Sequence, residues 1–313
     1  MGSIPTRSRH SHAMTVKRAL VVLNPVAGRG RGSRLGRPIA EAFRDRGWHV
    51  EMRPTTRPGE ERDLAFEGAR DGWELVIAAG GDGTVHGVAN GILAAERPET
   101  TLGIIGIGTG NDFAKLTGLP VRAVKAAVEA LERGRPRRFD VGRVAGEYFT
   151  NGLGVGFDTA VLDQMQRYPN LRGFALYVAA VLRAFARFRP VTVGLASAEH
   201  THTGPLVLAE VAIGTTAGGG FRLTPRADPT DGLFDVCAIR EVGFLRFVRY
   251  LPRVIAGRHE GLAEVTAFRT AHIRITTPGI PLTVHLDGEL RRYDAPSVEA
   301  EVVTQRLPVL CVS

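Results

Sequence analysis

The chain has 313 residues, 44% hydrophobic and 23% charged, so it can bury a sizeable core and favours two domains over one. Its two cysteines, Cys237 and Cys311, exclude a disulfide framework and a zinc cluster, and no apolar run approaches the roughly 20 residues of a membrane-spanning helix. A formal charge of +8, carried almost entirely by arginine, suits an anionic partner: a nucleotide, a nucleic acid or a membrane surface.

The N-terminal MGSIPTRSRHSHAM is polar, has no signal-peptide apolar region, and reads as a disordered leader before Met14, which places the chain in the cytosol. RALVVL, residues 18–23, is an apolar strand closed by Asn24 and Pro25. Helical spacing follows over 33–47, then a strand at HVEMRPT and a helix at GEERDLAFEGARDG. WELVIA, residues 73–78, reads as a buried strand and precedes AGGDGTVHGVANGI, a glycine-rich turn opening a helix. TLGIIGI, residues 101–107, is the next strand. The alternation predicts an α/β nucleotide-binding domain with a parallel sheet over 15–140.

Beyond about residue 140 the texture changes. VTVGLASA, GPLVLAEVAIG, GLFDVCAI, AHIRITT and PLTVHLDG are strand-like, with helical stretches at 172–189 and 243–257. This predicts a second, β-rich, sandwich-like domain over 141–294, with 295–313 packing back on one of the two. The 172–189 stretch sets arginines against an apolar face, as a core-packed helix or one touching an anionic bilayer would.

Three glycine-rich turns follow three strands: LNPVAGRGRG, AAGGDGT and GIGTGNDFAK. In a parallel sheet all three fall on the carboxyl edge, where ligands bind. Glycines that accept positive φ let backbone N–H groups approach a phosphate, and Thr84 is placed to cap the following helix. Asp112 is a possible cap for the helix after the third turn. Asp82 among phosphates calls for a cation or for acid/base work, and Mg2+ prefers those oxygens. The chain lacks G-x-x-x-x-G-K-[ST], G-x-G-x-x-G and G-x-S-x-G, so neither a Walker loop, a Rossmann dinucleotide turn nor a hydrolase elbow is indicated. Asp158, in the glycine-rich NGLGVGFD, reads equally as a cleft residue or as part of a β-turn.

GGDGTVHGVANG, NPVAGRG, GTGNDFA, GGGFRLTPRADPTDGLFDV and HLDGE occur in order from residue 18 to residue 289, and together they resemble the diacylglycerol kinase catalytic-domain family, in particular its soluble bacterial lipid kinases. The resemblance implies a lipid kinase that transfers the γ-phosphate of ATP to a lipid hydroxyl, with diacylglycerol giving phosphatidic acid the first choice. An ATP site lined by Asn24, Pro25, Val26, Ala27, Gly28, Thr55, Gly80, Gly81, Asp82, Gly83, Thr84, Val85, His86 and Thr109 is implied. So is Mg2+ at the DGLFD turn, held by Asp231 and by backbone oxygens near Asp228 and Leu233. Glu289 of the late DGE would be the general base, with Asp82 the second catalytic carboxylate. After GGDGT, family members often carry an apolar residue and then Asn-Glu; here His86 and Gly87 follow Val85, which leaves their roles open. The implied partners are a membrane lipid and an anionic membrane surface, visited peripherally from the cytoplasm, with no nucleic acid, and a homodimer is allowed. GGDGT is shared with NAD kinases, so a NAD kinase and a non-catalytic lipid- or nucleotide-binding regulator are the alternatives.

Overall fold

The computed structural model describes residues 17–167 and 181–312. Four strands, β1 (Arg18–Leu23), β2 (His49–Pro54), β3 (Leu75–Gly80) and β4 (Thr101–Gly106), pair in parallel in the order β4-β3-β1-β2. Every residue of β3 and β4 is buried. Parallel strands are covered on both faces, so their sequences are continuous apolar runs. The crossovers are α1 (Ala27–Gly30), α2 (Gly36–Arg44), α3 (Glu60–Arg70), α4 (Asp82–Ala94), α5 (Asp112–Leu116) and α6 (Val124–Arg133). Gly87 and Gly91 let α4 pack directly on α3: a Cβ at either would collide with Glu61 or with the Arg62 carbonyl.

The second half is a β-sandwich built from β5 (Arg135–Val144), β6 (Glu147–Phe149), β7 (Gly152–Gly156), β8 (Val191–Ala196), β9 (Thr201–Ala212), β10 (Phe234–Arg240), β11 (Val265–Thr270), β12 (His272–Thr276), β13 (Leu282–Leu286), β14 (Glu289–Tyr293) and β15 (Ser297–Cys311). Their pairings with one another are antiparallel. Helices α7 (Phe157–Arg167) and α8 (Phe244–Ile255) accompany them. Of the arginine-rich stretch expected over 172–189, residues 172–180 lie outside the described residues; residues 181–185 are helical, with Val181 and Phe185 buried.

The final strand is shared between the halves. Val298 and Ala300 sit in the sandwich core, while Leu307, Val309 and Leu310 join the core of the α/β half. Val309 pairs in parallel with Leu102 of β4. Between these stretches the register with β5 shifts, and Asp140 fixes the irregularity by accepting the Gln305 N–H at 2.7 Å. A third apolar cluster, including Phe157, Phe185, Leu223 and Leu251, lies where α7, α8 and the helical residues 181–185 meet β9 and β10.

Candidate active site

The three glycine-rich turns meet at the carboxyl edge of the parallel sheet. The Asn24 N–H donates to the Ala79 carbonyl at 3.0 Å, and the N–H groups of Ile107 and Gly108 donate to Gly80 at 2.7 and 3.2 Å. Crowding, not positive φ, demands the glycines of GGDGT. A Cβ on Gly80 would collide with the Thr84 side chain, and one on Gly81 would lie 3.3 Å from Gly108 Cα; Gly81 itself has φ −99°. The expected left-handed backbone appears instead in the first turn, at Gly28 (φ 59°) and Gly30 (φ 82°), and a Cβ on Gly28 would also meet the Ile107 carbonyl at 2.6 Å.

Thr84 does not cap α4. The N-cap is Gly81, and the Thr84 hydroxyl instead accepts Asn24 Nδ2–H at 3.0 Å. Asn24 Oδ1 turns back to the Val26 N–H at 3.0 Å. The first N–H groups of α4 therefore have no side-chain cap, and a helix amino end left this way is suited to an anion. Asp112 is not a cap either: its carboxylate accepts from Lys115 Nζ at 2.7 Å and from the Gly219 N–H at 2.6 Å, tying the third turn to the sandwich.

Asp82 is half-buried and accepts the Phe113 N–H at 3.3 Å. Burial first, and the charge of Asp112 second, push its pKa up to about 6. A Cβ on Gly110 would lie 2.7 Å from Asp82 Oδ2 and 3.5 Å from Asp112 Oδ2, so a glycine leaves one open space on which both carboxylates converge. Two crowded carboxylates beside an anion site fit a hard, oxygen-binding cation such as Mg2+. Glu289 approaches from the sandwich, its Oε1 2.5 Å from the point a Cβ on Gly83 would occupy.

Glu289 opens β14, directly after an Asp287–Gly288 turn with φ 52° and 89°. Both central residues are left-handed, the two-residue hairpin that Asp-Gly favours. Asp287 does more than shape the turn. Its buried carboxylate accepts the N–H groups of Thr150, Asn151 and Gly152 at 2.9, 2.7 and 3.0 Å, the Thr150 hydroxyl at 3.2 Å, and His86 Nδ1 at 2.8 Å. The other ring nitrogen of His86 meets Glu147 at 2.9 Å, and Glu147 is clamped by Arg291 at 2.6 and 2.9 Å. Burial works against a charged His86, but the hydrogen bonds and charges of Asp287 and Glu147 win and raise its pKa to about 9. Burial likewise opposes the charge on Glu147, yet His86 and Arg291 hold its pKa at about 2. The residue whose role the sequence left open thus fastens α4 to the turn that carries Glu289.

These groups border a cavity of about 800 Å3. One end is polar, lined by Gly28, Asp82, Gly83, Thr109, Asp112 and Glu289. The other end is apolar, with Phe157, Val207, Leu223, Ile239 and Val254 among its walls. The cavity wall also holds Asp158, which the sequence offered as a possible cleft residue, with Glu210 and His285, of which the lone glutamate in the apolar run of β9 is the further trace in the sequence. His285 Nε2 is 2.9 Å from Asp158 Oδ2 and 3.5 Å from Glu210 Oε2. The Gly288 N–H donates to Nδ1 at 3.3 Å, which leaves Nε2 to carry the proton toward the carboxylates. His285 thus bonds Asp158, while neither oxygen of Glu210 has a hydrogen-bond partner among the described residues.

The remaining expected site residues fall elsewhere. Thr55 lies on the same sheet edge, its N–H bonded to the Leu23 carbonyl at 2.8 Å, but outside the cavity wall. Val26 is 76% exposed, Pro25 belongs to the same outer loop, and Ala27 is buried beneath it. Val85 points into the core and His86 into its ion network, so both side chains turn away from the cavity. At the DGLFD turn, Asp231 is ion-paired with Arg269 and accepts the Leu233 N–H at 3.0 Å, while Asp228 accepts the Thr230 hydroxyl at 2.7 Å. These carboxylates already accept from the protein's own cation and N–H groups, as Asp112 does from Lys115 and Gly219.

An α/β half with glycine-rich turns is thus joined to a β-sandwich across a cavity lined by six carboxylates. The diacylglycerol kinase catalytic domain family matches residues 18–144, and the YegS C-terminal NAD kinase beta sandwich-like domain matches residues 151–311. The "Probable lipid kinase YegS-like" protein of Chromohalobacter salexigens is 34% identical over 251 residues, covering 79% of each chain. The Bacillus subtilis protein named diacylglycerol kinase is 29% identical over 276 residues, covering 88% of this chain and 90% of its own. A crystal structure of a Bacillus anthracis diacylglycerol kinase superposes with a TM-score of 0.69 at 23% identity, covering 95% of this chain and 97% of that one. The chain belongs to the YegS-like lipid kinases of the diacylglycerol kinase family.

Proposed function

We propose that the protein transfers the γ-phosphoryl group of ATP to the free hydroxyl of diacylglycerol, giving phosphatidic acid and ADP. The cavity carries this reading: phosphate-type turns, Asp82 and Glu289 at one end, and an apolar interior that suits acyl chains at the other. In this reading the first N–H groups of α4, with the Asn24–Gly28 turn and Thr109, hold the ATP phosphates. The lipid oxygen bonds to the γ-phosphorus, the bond to the ADP oxygen breaks, and the hydroxyl proton passes to Glu289. A base so positioned contributes about 10²–10⁴-fold. Mg2+, held by Asp82 and Asp112 with the phosphates, would supply neutralisation of the charge spread over the transferring oxygens. A second, structural cation at Asp228, Asp231 and Leu233 would have to displace Arg269 from Asp231. The lipid lies in a membrane, so the protein acts peripherally, from the cytoplasm, at an anionic surface.

A NAD kinase is disfavoured because the apolar interior offers no partners to the sugars and phosphates of a dinucleotide, and a non-catalytic role because Asp82 and Glu289 converge on the phosphate turns. Radiolabelled ATP with a panel of diacylglycerol, monoacylglycerol, ceramide, a sphingoid base, phosphatidylglycerol and NAD tests the reading. Label in phosphatidic acid is expected, and Asp82→Asn should remove most of it while the fold is retained. Label in NAD, or in no lipid, overturns the reading.

A further inference from the structure

Helix α8 presents three different faces. At 100° per residue, Phe247, Tyr250, Leu251 and Val254 fall on one side, and these line the cavity. Phe244, Leu245 and Val248 fall on the adjoining side and are 45%, 84% and 39% exposed. Arg246, Arg249 and Arg253 form the third side, all exposed. Arg246 is ion-paired with Glu264, whose other oxygen accepts the Tyr250 hydroxyl at 3.0 Å; Arg249 and Arg253 make no ion pair among the described residues.

Single exposed apolar side chains are ordinary on a soluble protein. Here seven large hydrophobic side chains are exposed among the described residues, and three of them fall within five consecutive positions of one helix. An exposed apolar strip flanked by arginines is the composition of a helix that lies in the plane of a membrane interface. The occupant follows from two further observations. Two guanidiniums on this helix, without an ion pair among the described residues and in a chain of charge +8, complement an anionic surface. The strip is also continuous, around the helix, with the wall of the apolar cavity.

We propose that α8 is the membrane-docking element of the protein: Phe244, Leu245 and Val248 enter an anionic lipid surface, Arg249 and Arg253 engage its headgroups, and the helix's adjoining face receives the lipid into the cavity. The choice of a bilayer as occupant rests on the lipid-kinase reading. The helix is held against the helical residues 181–185 by Phe247, whose ring stacks on Phe185 at 3.7 Å, so the exposed strip is presented on a packed support.

Co-sedimentation with phosphatidylcholine vesicles, with and without phosphatidylglycerol, tests this without reference to turnover. The doubly substituted Leu245→Glu, Val248→Glu protein is expected to lose about tenfold or more of its binding to anionic vesicles. Arg249→Gln with Arg253→Gln should abolish the preference for phosphatidylglycerol. Leu245→Ser adds no charge and should give an intermediate loss. Ile280→Glu, at an exposed apolar residue in the turn before β13, should bind as wild type. Circular dichroism and Tm establish that each variant folds. Turnover of a short-chain lipid in detergent micelles should survive the α8 substitutions, while turnover in vesicles falls with binding. Wild-type binding by the double variant, or equal loss in Ile280→Glu, overturns the proposal. So does a dimer that Leu245→Glu converts to monomer with vesicle binding unchanged, since α8 would then face a second copy. If no lipid is phosphorylated but vesicle binding still depends on α8, the kinase reading fails and the docking element stands.

Discussion

Two buried histidines flank the Asp287–Gly288 turn, and their surroundings differ in kind. His86 lies between Asp287 and Glu147, each of which also receives other donors, so the cluster is saturated. His285 faces Asp158 and Glu210, and neither oxygen of Glu210 has a hydrogen-bond partner within the protein, although the carboxylate is buried. The first cluster borders no ligand space beyond the Asp287 that shapes the turn; all three members of the second line the cavity. A saturated network fixes geometry, and a buried acid with spare capacity reserves it for something that enters. Glu289 sits between the two, so one hairpin joins a rigid anchor to a receptive pocket.

The largest effect should come from the carboxylate on which both clusters converge. Glu289→Gln keeps size and hydrogen bonding but removes the base, and kcat should fall by about 10²–10⁴-fold with KM for ATP nearly unchanged. A Gln variant with normal kcat would detach both clusters from catalysis and pass the base to Asp82.

Removing the anchor should act on stability. His86→Leu leaves buried Asp287 and Glu147 without their shared partner, a loss of about 3–5 kcal/mol and roughly 10 °C in Tm. The pH dependence carries a distinct signature. Because the folded pKa of His86 is raised from 6.5 to about 9, its contribution is complete below about 6.5 and fades as pH rises toward 9. Glu147, lowered from 4.5 to about 2, contributes above about 4.5 and fades as pH falls toward 2. Wild-type stability should therefore decline from pH 6.5 to 9, and His86→Leu should flatten that limb in urea titrations. An unchanged alkaline limb would mean that the network does not hold the fold.

The same contrast marks what a sequence makes legible. The parallel strands announce themselves because burial on both faces demands apolar runs, and the turns because close approach demands glycine. β5 was missed: RPRRFDVGRV has an exposed arginine-rich half and a buried half, so it lacks the run that names a strand. α6 and β11 also carry weak local patterns. The motif turns located Asp82 and Glu289, but Thr84 and Asp112 were given capping roles that the fold assigns to no side chain. The His86 anchor was out of reach, since its partners lie 61 and 201 residues away and no spacing rule links them. Glu210 left a faint trace, a single charge in an otherwise apolar strand, which is the signal that a buried polar group has a purpose.

The smallest effect, and the sharpest test of the comparison, concerns Glu210. Its side chain fills space over Gly152 and Gly154 of β7, where a Cβ would collide with its oxygens. Burial first, then the charges of Asp158 and Asp287, raise its pKa against the opposing pull of His285. A neutral carboxylic acid can both donate to and accept from a polar group of an entering lipid. Glu210→Gln preserves both capacities and should change lipid KM little. Glu210→Leu removes them at similar volume. Since a buried acid without hydrogen bonds costs free energy in the fold, the Leu variant should match wild type in stability or exceed it by about 1–3 kcal/mol. Its KM for lipid should rise by up to about tenfold, the worth of one lost hydrogen bond, with KM for ATP unchanged. A Leu variant that unfolds at lower urea while its lipid KM stays fixed would place Glu210 in the same structural category as His86. The cavity would then recognise its lipid by apolar contact alone.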